Sequence, residues 1–319
     1  MTLQEIYDLA IEMGENADPR GRAIIKKLLA RNKKEYMELP LKKKKYFDEE
    51  SFKNPYADTR ILLGDQKLKV SKVLTGIDMD VGEVLLMDRL NQKGEKIDLL
   101  IGHHPHGIAL VGLDEVMDLQ VDLMASYGIP VNVAESLLKD RIMQVKRRLG
   151  PANHFQSVDA ARLLGIPFIV IHTVWDNLGS HFLSNHLKKK ETEIVGDVLS
   201  AIEEIPEFDV AKKNKAGPRI TVGSEKNRAG KVAVTGFTGG TEGSKLIYER
   251  MSQAGIGTIV EMHMSEEHFE EAKKHHLNVI VSGHMASDSL GANLFLDELE
   301  KKGVEVVPCS GLIRIKRKK

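Results

Sequence analysis

Several features that would place a protein in a specialised class are scarce or absent in this chain. The single cysteine, Cys309, excludes an intrachain disulfide and is compatible with a reducing compartment. Basic and acidic residues balance at 46 each, so the chain lacks the net positive charge of a dedicated nucleic-acid binder. It has no apolar run of about 18 residues and no signal-peptide pattern. We therefore expect a cytoplasmic protein that binds neither membranes nor nucleic acid.

Enough apolar sequence remains for a folded α/β protein. Hydrophobic residues make up 42% of the 319 positions, which suits a globular chain with two lobes. Short apolar stretches alternate with helical ones, such as 191–205 and 265–275, and this alternation favours largely parallel sheets. Residues 206–217 have the composition of a linker or a turn-rich crossing. The predicted strands lie at 59–64, 70–77, 97–102, 167–171, 218–222, 231–235, 256–261, 277–282, 304–307 and 312–316.

Two adjacent histidines follow the third predicted strand. Residues 98–105 read Asp-Leu-Leu-Ile-Gly-His-His-Pro, and Pro105 ends the strand. In the turn after a strand, His103 and His104 can point toward two neighbouring metal ions, since neutral imidazole is the commonest side-chain metal ligand. Strand ends in α/β sheets are also where ligands usually bind. Two surface histidines in a loop would give the same sequence, and the pair alone leaves both interpretations open.

A similar junction occurs near the C-terminus. A β-branched strand over 278–281 meets Ser282, Gly283 and His284. If a helix begins at Ser282 or Gly283, then His284 and Asp288 lie one turn apart on one face and can bind one metal. An ordinary helix start with polar residues facing solvent is the alternative. The recurrence of strand, glycine and histidine near 102 and near 283 also suggests two related halves that meet at one site.

A third segment combines a histidine with a carboxylate. The strand at 168–171 ends in His172 and Thr173, and Asp176 follows within one helical turn. The carboxylate of Asp176 can bridge two cations, because it has two oxygens, and we expect it to be the bridging ligand. His172 is more typical of a core histidine, or of one that supports a ligand, than of a ligand itself, and Trp175 is typical of packing.

In this order, the three segments resemble the NIF3-like family, some members of which are labelled GTP cyclohydrolase 1 type 2. Its pattern is a strand ending in His-His-Pro, then His-Thr-x-x-Asp, then Gly-His-x-x-Ser-Glu. The resemblance covers about residues 57–319 and implies two α/β lobes with a metal site in the cleft between them. Asp288 stands where the family usually has Glu, and its shorter side chain requires a closer approach to the metals. The resemblance implies two divalent metal ions held by His103, His104, Asp176, His284 and Asp288.

The resemblance also implies a domain organisation and an assembly. We divide the chain into an N-terminal helical extension (1–56), an N-terminal α/β lobe (57–210) and a C-terminal α/β lobe (211–319). A long gap between His104 and Asp176 predicts helical cover inserted at about 111–164. The family further implies a homohexamer.

Two further segments are candidates for substrate binding. Residues 236–243 are glycine-rich and lie between a predicted strand and helix, where backbone N–H groups can bind a phosphate. A tight turn explains them equally well. Residues 261–268 are rich in His and Glu, and in the resembled family a histidine near His268 faces the metal cleft. We therefore expect His268 to act as a catalytic acid–base group or a substrate contact.

The ligand types suggest a reaction class. Nitrogen and oxygen ligands without thiolates suit Zn, Mn, Fe or Ni. Two such ions can activate water and stabilise developing negative charge, which favours hydrolysis of a C–N, amide or phosphoester bond. The family label implies a nucleotide such as GTP, or another phosphorylated small molecule, as substrate. A non-catalytic metal-binding, metal-delivery or regulatory protein would need the same ligands, so both classes stay open.

Overall fold

Short β-branched and leucine-rich segments form two sheets in the computed structural model, which describes residues 1–317. Most predicted strands are present within one to three residues of their expected ends. The strands are β1 Arg60–Leu63, β2 Lys72–Gly76, β3 Leu99–Gly102, β4 Phe168–Val170, β5 Arg219–Val222, β6 Lys231–Val234, β7 Ile256–Glu261, β8 Asn278–Val281 and β9 Glu305–Pro308.

Amphipathic segments between the strands form the helices. These are α1 Leu3–Ala17, α2 Arg22–Glu38, α3 Leu41–Lys44, α4 Val81–Gln92, α5 Gly107–Val111, α6 Leu119–Ser126, α7 Val131–Leu149, α8 Gln156–Leu163, α9 Thr173–Leu187, α10 Val195–Glu203, α11 Pro206–Lys213, α12 Ile247–Gln253, α13 Glu266–Lys274 and α14 His284–Lys301. Two short 3-10 helices lie at Glu49–Phe52 and Glu115–Asp118.

Two expectations about local structure are wrong. The predicted linker at 206–217 contains α11, because Pro206 occupies the first helical turn, where it is tolerated, and Phe208 is buried. The predicted strand at 312–316 has no regular structure. Its backbone is bonded to α14 and not to a neighbouring strand, since the N–H of Ile313 donates to Ser289 Oγ at 2.9 Å and that of Ile315 donates to Asn293 Oδ1 at 3.2 Å.

The two sheets share one topology. The first has the order β1-β4-β3-β2-β9 and the second the order β5-β8-β7-β6. In each, the first strand is an antiparallel edge, and every other pairing is parallel. The fold is therefore α/β with largely parallel sheets, as the alternation of elements predicted.

Helices α9 and α14 form a layer between the two sheets. Trp175 of α9 and Phe295 of α14 pack in the core of the first sheet together with α1. Leu183 and Leu290, on other faces of the same two helices, pack in a core shared with Ile280 of the second sheet. Side chains that these helices present at their N-terminal ends consequently lie between the sheets.

The segment between β3 and β4 extends from the first sheet to the second. Its helices α5 and α8 cover the outer face of the first sheet, where Ala109 and Ala161 pack near Phe168. Its helices α6 and α7 pack against the second sheet, where Leu123 and Leu138 share a core with other apolar side chains. No helix within residues 1–317 is both long and apolar enough to cross a bilayer.

Two glycines allow α9 and α14 to approach closely. A Cβ atom added at Gly291 would lie 1.9 Å from the carbonyl oxygen of Trp175, and one added at Gly179 would lie 3.3 Å from that of Ser287. A distance of 1.9 Å to a backbone atom cannot be relieved by rotating a side chain. The spacing of the two helices therefore requires glycine at position 291.

We expect Gly291→Ala to separate α9 from α14 and to destabilise the protein by about 3 kcal/mol, the upper range for overpacking a well-packed interior. The melting temperature and the metal content of the purified protein should both be lower than in the wild type. Gly82→Ala is a matched control, because its Cβ would meet nothing within 4 Å, and it should be neutral or slightly stabilising. Wild-type melting temperature and metal content in Gly291→Ala would show that the close approach is not needed.

Candidate metal centre

The expected histidines and carboxylates meet in the cleft between the two sheets. His103 and His104 follow β3, Asp176 lies in the first turn of α9, and His284 and Asp288 lie one turn apart at the start of α14. The cleft contains about 340 Å³ of space not filled by protein atoms. Its lining includes His103, His172, Asp176, Thr238, Glu242, His263, His284 and Asp288.

The five residues form two groups that share Asp288. In the inner triad, His103 Nε2 lies 3.3 Å from Asp176 Oδ1 and 3.6 Å from Asp288 Oδ1. In the outer triad, Asp288 Oδ2 lies 3.6 Å from His104 Nε2 and 3.4 Å from His284 Nε2. The ligand atoms within each triad lie within 4.8 Å of one another. Each oxygen of Asp288 therefore faces a different triad.

Asp176 was expected to be the bridging carboxylate, whereas the distances favour Asp288 as the carboxylate that the two triads share. Asp176 Oδ1 lies 3.3 Å from His103 Nε2, and its Oδ2 lies 3.8 Å from His172 Nδ1. The shorter side chain at position 288 reaches both triads because the glycine contact holds α14 close to α9. The site thus accommodates Asp where the family usually has Glu.

The carboxylate of Asp288 fits a metal ligand better than a structural group. Its side chain is 1% exposed, and both oxygens lack a hydrogen-bond partner in the described structure. A buried carboxylate without partners is strongly disfavoured, and natural proteins place such groups beside a cation. Three imidazole nitrogens and a second carboxylate surround it, which is the donor set that first-row divalent ions take.

Hydrogen bonds orient two of the imidazole rings. His103 Nδ1 lies 3.0 Å from the carbonyl oxygen of Ile171, and His104 Nδ1 lies 2.6 Å from Asp78 Oδ1. Both partners are acceptors, so each Nδ1 carries the proton and each Nε2 is free to bind a metal. Trp175 stacks on the His103 ring at 5.4 Å between centroids, which fixes the ring plane.

His172 has the supporting position that its sequence context suggested. Its Nδ1 lies 2.8 Å from Asp58 Oδ2, and the same oxygen accepts a 2.6 Å hydrogen bond from the Thr173 hydroxyl. His172 also groups with His103 and His104 within metal-binding reach. Asp58 and Asp78 were not predicted, because each lies far along the chain from the histidine that it orients.

Charge and burial oppose each other at the site. Burial disfavours protonation of His103, but the carboxylates of Asp288 and Asp176 outweigh it and raise the pKa of the ring. For His104 and His284 burial dominates and lowers the pKa, to about 4 for His104. Burial acts to raise the pKa of Asp288, but the histidines that face it lower the pKa, and His103 has the largest effect among them. The outer triad is therefore neutral in its imidazoles and negative in its carboxylate at neutral pH.

Two residues that were not predicted as site residues, His263 and Glu242, also line the cleft. His263 Nδ1 lies 3.4 Å from Glu242 Oε1, and its ring lies 4.8 Å from that of His284. Although burial acts in the opposite direction, contacts with His263 and His268 lower the pKa of Glu242 to about 2. Contact with Glu242, in turn, raises the pKa of His263. The position of His263, two residues after β7, was a usable signal.

His268 lies behind Glu242 and is not part of the cleft lining. Its Nδ1 lies 2.7 Å from Ser265 Oγ and its Nε2 lies 3.1 Å from the carbonyl oxygen of Gly243. It also lies 3.7 Å from Glu242 Oε2. His268 therefore contacts the metal cleft through Glu242, and His263 is the histidine that the geometry places beside the ligands.

Several solved structures are similar to this chain. A NIF3 superfamily protein from Sphaerobacter thermophilus is 29% identical, with a TM-score of 0.76 over 98% of this chain and 99% of that chain. Reduced HcgD from Methanocaldococcus jannaschii is 13% identical, with a TM-score of 0.47 over 78% of this chain and 87% of its own. Protein ybgI, described as of unknown function, is 14% identical, with a TM-score of 0.45 over 80% of this chain and 90% of its own. No protein-family model and no curated protein matches the chain.

Fold and site together define an α/β protein with two sheets and a histidine–carboxylate cluster between them. Over its full length the chain is similar to the NIF3 superfamily structure from Sphaerobacter, in agreement with the resemblance of its three sequence segments to the NIF3-like family.

We expect the two aspartates of the cluster to differ in their effect on metal content. Asp288→Asn should reduce bound metal toward zero, because this residue contributes to both triads, whereas Asp176→Asn should leave about one ion per chain, because it contributes to one. Metal-to-protein ratios measured by elemental analysis test this, with exposed Asp159→Asn as the control. Two ions in Asp288→Asn protein would place the bridge elsewhere.

A separate expectation concerns Glu261, which ends β7 beside the cleft. Burial raises its pKa to about 7 from an ordinary 4.5, although hydrogen bonds from Thr235 and Tyr248 act against the increase. The folded protein thus keeps a proton there that the unfolded chain releases. The contribution of this protonated side chain to the free energy of unfolding is complete below about pH 4.5. It is lost as the pH rises through about 7, and the total change is about 3 kcal/mol.

Glu261→Gln cannot ionise, so its stability relative to wild type should improve between about pH 5 and pH 8 by up to that amount. Urea unfolding of both proteins across this range measures the difference in their free energies of unfolding. All other groups titrate alike in the two proteins, so their contributions cancel in this difference. Parallel pH profiles for the two proteins would contradict the assignment.

Proposed function

We propose that this protein is a hydrolase that depends on two divalent metal ions held by the inner and outer triads. The observation that carries the proposal is the buried carboxylate of Asp288, which has no hydrogen-bond partner and lies between imidazoles of both triads. Ions bound there would polarise a substrate bond and lower the pKa of a water molecule to a value near 7. Zn, Mn, Fe and Ni all suit these ligands.

The chain's own residues supply the remaining functions of a hydrolytic site. His103 and His104 hold their Nε2 atoms toward the carboxylates because Ile171 and Asp78 accept the protons on Nδ1. His263 lies beside His284 with its Nδ1 toward Glu242, so it can hold a proton and donate it to a leaving group. The family resemblance suggested His268 as the acid–base group, and we propose His263 in this role instead.

The substrate in this proposal is a phosphorylated small molecule, with a nucleotide such as GTP as one member of the class. Supporting it, a groove with four basic side chains lies next to the glycine-rich segment after β6, and the carboxylates of Asp140, Glu242, Glu266 and Glu267 also line it. Arg141, Arg147, Arg148 and Lys245 line this groove together with Gly243 and Ser244. In the described residues, neither Lys nor Arg lines the metal cleft itself, so a phosphate outside the metals would lie in this groove.

A non-catalytic metal-delivery protein is the second candidate, because the outer triad is open on one side. The side chain of His284 is 39% exposed and that of His104 is 26% exposed. An ion at this position could pass to a partner without unfolding of the chain. We also propose a homohexameric assembly, which the family resemblance implies, and a cytoplasmic location, which the composition favours.

Hydrolysis is tested by assaying the metal-loaded protein against nucleotides, phosphoesters and cyclic amides, with and without chelator. We expect chelator-sensitive turnover that falls about 10²-fold or more in His263→Ala, the usual range for loss of a general acid–base group. Metal content should be unchanged in that variant. His275→Ala, on the outer end of α13, is the matched control and should behave as wild type.

Two outcomes would change the proposal. If His268→Ala loses activity and His263→Ala does not, the proton-transfer role returns to His268. If fully metallated protein turns over none of these substrates but transfers its ions to an acceptor protein, metal delivery takes the place of hydrolysis.

A further inference from the structure

A second cavity opens beside the metal cleft, and nothing in the hydrolytic proposal uses it. The cavity and its mouth contain about 650 Å³ of space not filled by protein atoms. Its lining shares Gly236, Thr238, Glu242 and His263 with the metal cleft. A molecule that reaches the metals from this side would therefore have its remainder in this cavity, which we call the side pocket.

The side pocket has a polar side next to the metal cleft and an apolar side that comes largely from the segment inserted between β3 and β4. Val121, Leu123 and Leu138 of this segment face Ile247 and Met251 of α12 across the pocket. Apolar walls of this kind favour a ring or chain that leaves water, at about 25 cal/mol for each Å² buried. Within residues 1–317, no Lys or Arg lines the pocket, and the two histidines in its lining, His263 and His268, both lie beside Glu242.

The inserted segment is fixed to the metal cleft by direct hydrogen bonds. Gln120 Nε2 donates to the carbonyl oxygens of Gly239 and Thr241, at 2.7 Å each. Arg141 Nε donates to the carbonyl oxygen of Glu242 at 2.9 Å. The wall of the side pocket and the loop that carries Glu242 therefore form one unit, and the pocket has a defined position relative to the metals.

Two carboxylates, Glu242 and Glu261, line the pocket, and Glu261 has unused acceptor capacity. Glu261 is 6% exposed, and its Oε1 accepts a 3.0 Å hydrogen bond from the Thr235 hydroxyl. The Tyr248 hydroxyl lies 3.1 Å from Oε1 and 3.2 Å from Oε2, but it has one proton to donate. Two donors thus serve a group with about four acceptor positions, so about two positions remain for a ligand.

The arrangement restricts the ligand. A carboxylate with two free acceptor positions pairs best with two N–H donors that lie side by side, as in bidentate hydrogen bonding. The apolar walls favour an uncharged planar ring over a cation, because a cation would lose its hydration between leucine and methionine side chains. Neighbouring N–H groups on an uncharged ring occur in 2-amino-4-oxo-pyrimidines and in the purines and pterins that contain them.

We propose that the side pocket binds the ring of the substrate, and that Glu261 selects rings that present two adjacent N–H donors. The inference rests on the proposed function, since it takes the ring to be part of the molecule that the metal centre acts on. Glu261 is a specificity residue here and not a catalytic one. The inserted segment, which supplies most of the apolar wall, would then determine which rings the protein accepts.

Calorimetric titration of the purified, metal-containing protein with guanosine and inosine tests the proposal. The two nucleosides share a ring, but inosine lacks the 2-amino group and so presents one N–H donor where guanosine presents two. We expect guanosine to bind wild type about 10- to 100-fold more tightly than inosine, the range for one hydrogen bond to a charged group. Burial raises the pKa of Glu261 to about 7, so the titration is done at about pH 8, where most of this carboxylate is ionised.

Glu261→Gln should remove the preference for guanosine, because the amide replaces an acceptor by a donor at nearly the same size. Exposed Glu270→Gln of α13 is the matched control and should retain the preference. Ala134→Leu, in the pocket wall, should weaken binding of both nucleosides without changing metal content, since it fills the pocket and leaves the carboxylate in place. This second variant keeps the test decisive if Glu261→Gln fails to fold.

Equal affinities for guanosine and inosine in wild type, or no binding of either, would overturn the proposal. Benzamidine binding more tightly than guanosine would also overturn it, in favour of a cationic ligand. Binding is measured here without turnover, so a protein that prefers guanosine but hydrolyses nothing would contradict the hydrolytic function alone.

Discussion

The close contact between α9 and α14 is the constraint on which the rest of the structure depends. Gly291 lies against the carbonyl oxygen of Trp175, and Gly179 lies near that of Ser287. Each glycine is three residues after the aspartate of its own helix, so the contact also sets the distance between Asp176 and Asp288. Because the same helices are the layer between the two sheets, one contact positions the two candidate carboxylate ligands and joins the lobes.

The two halves of this contact are equivalent in sequence and in topology. Residues 172–179 and 284–291 both read His, three residues, Asp, one residue, Leu and Gly. Each segment follows the strand that pairs with the antiparallel edge strand of its sheet, β4 in one lobe and β8 in the other. The counterpart of the His284 junction is thus His172, and not the His-His pair after β3 that the sequence comparison selected. In the second sheet, the equivalent of β3 is β7, which leads to Glu261 and His263.

The sequence was sufficient for most elements and for the residues that form the His/Asp cluster, because both depend on short-range patterns. Alternating apolar and helical stretches identified nine strands, and the residues after three of them include all five ligand candidates. Partners from distant elements could not be predicted in this way. Asp58 and Asp78 bond histidines more than 25 positions away, at His172 and His104, and no local pattern marks such pairs. The choice between Asp176 and Asp288 as the bridge depends on how two helices cross, which the sequence does not specify.

The repeat at positions 172–179 and 284–291 does not make the two triads alike, because His103 and His104 both come from the first lobe. The inner triad is closed off: the side chains of His103 and Asp288 are 1% exposed, and that of Asp176 is 7% exposed. The outer triad ends at His284, which is 39% exposed. With an ion in each triad, as proposed above, chelators and competing ions would encounter the outer position first, and the two positions would exchange at different rates. A preparation loaded with one metal and then exposed to another would become a mixed-metal protein before it became a fully substituted one.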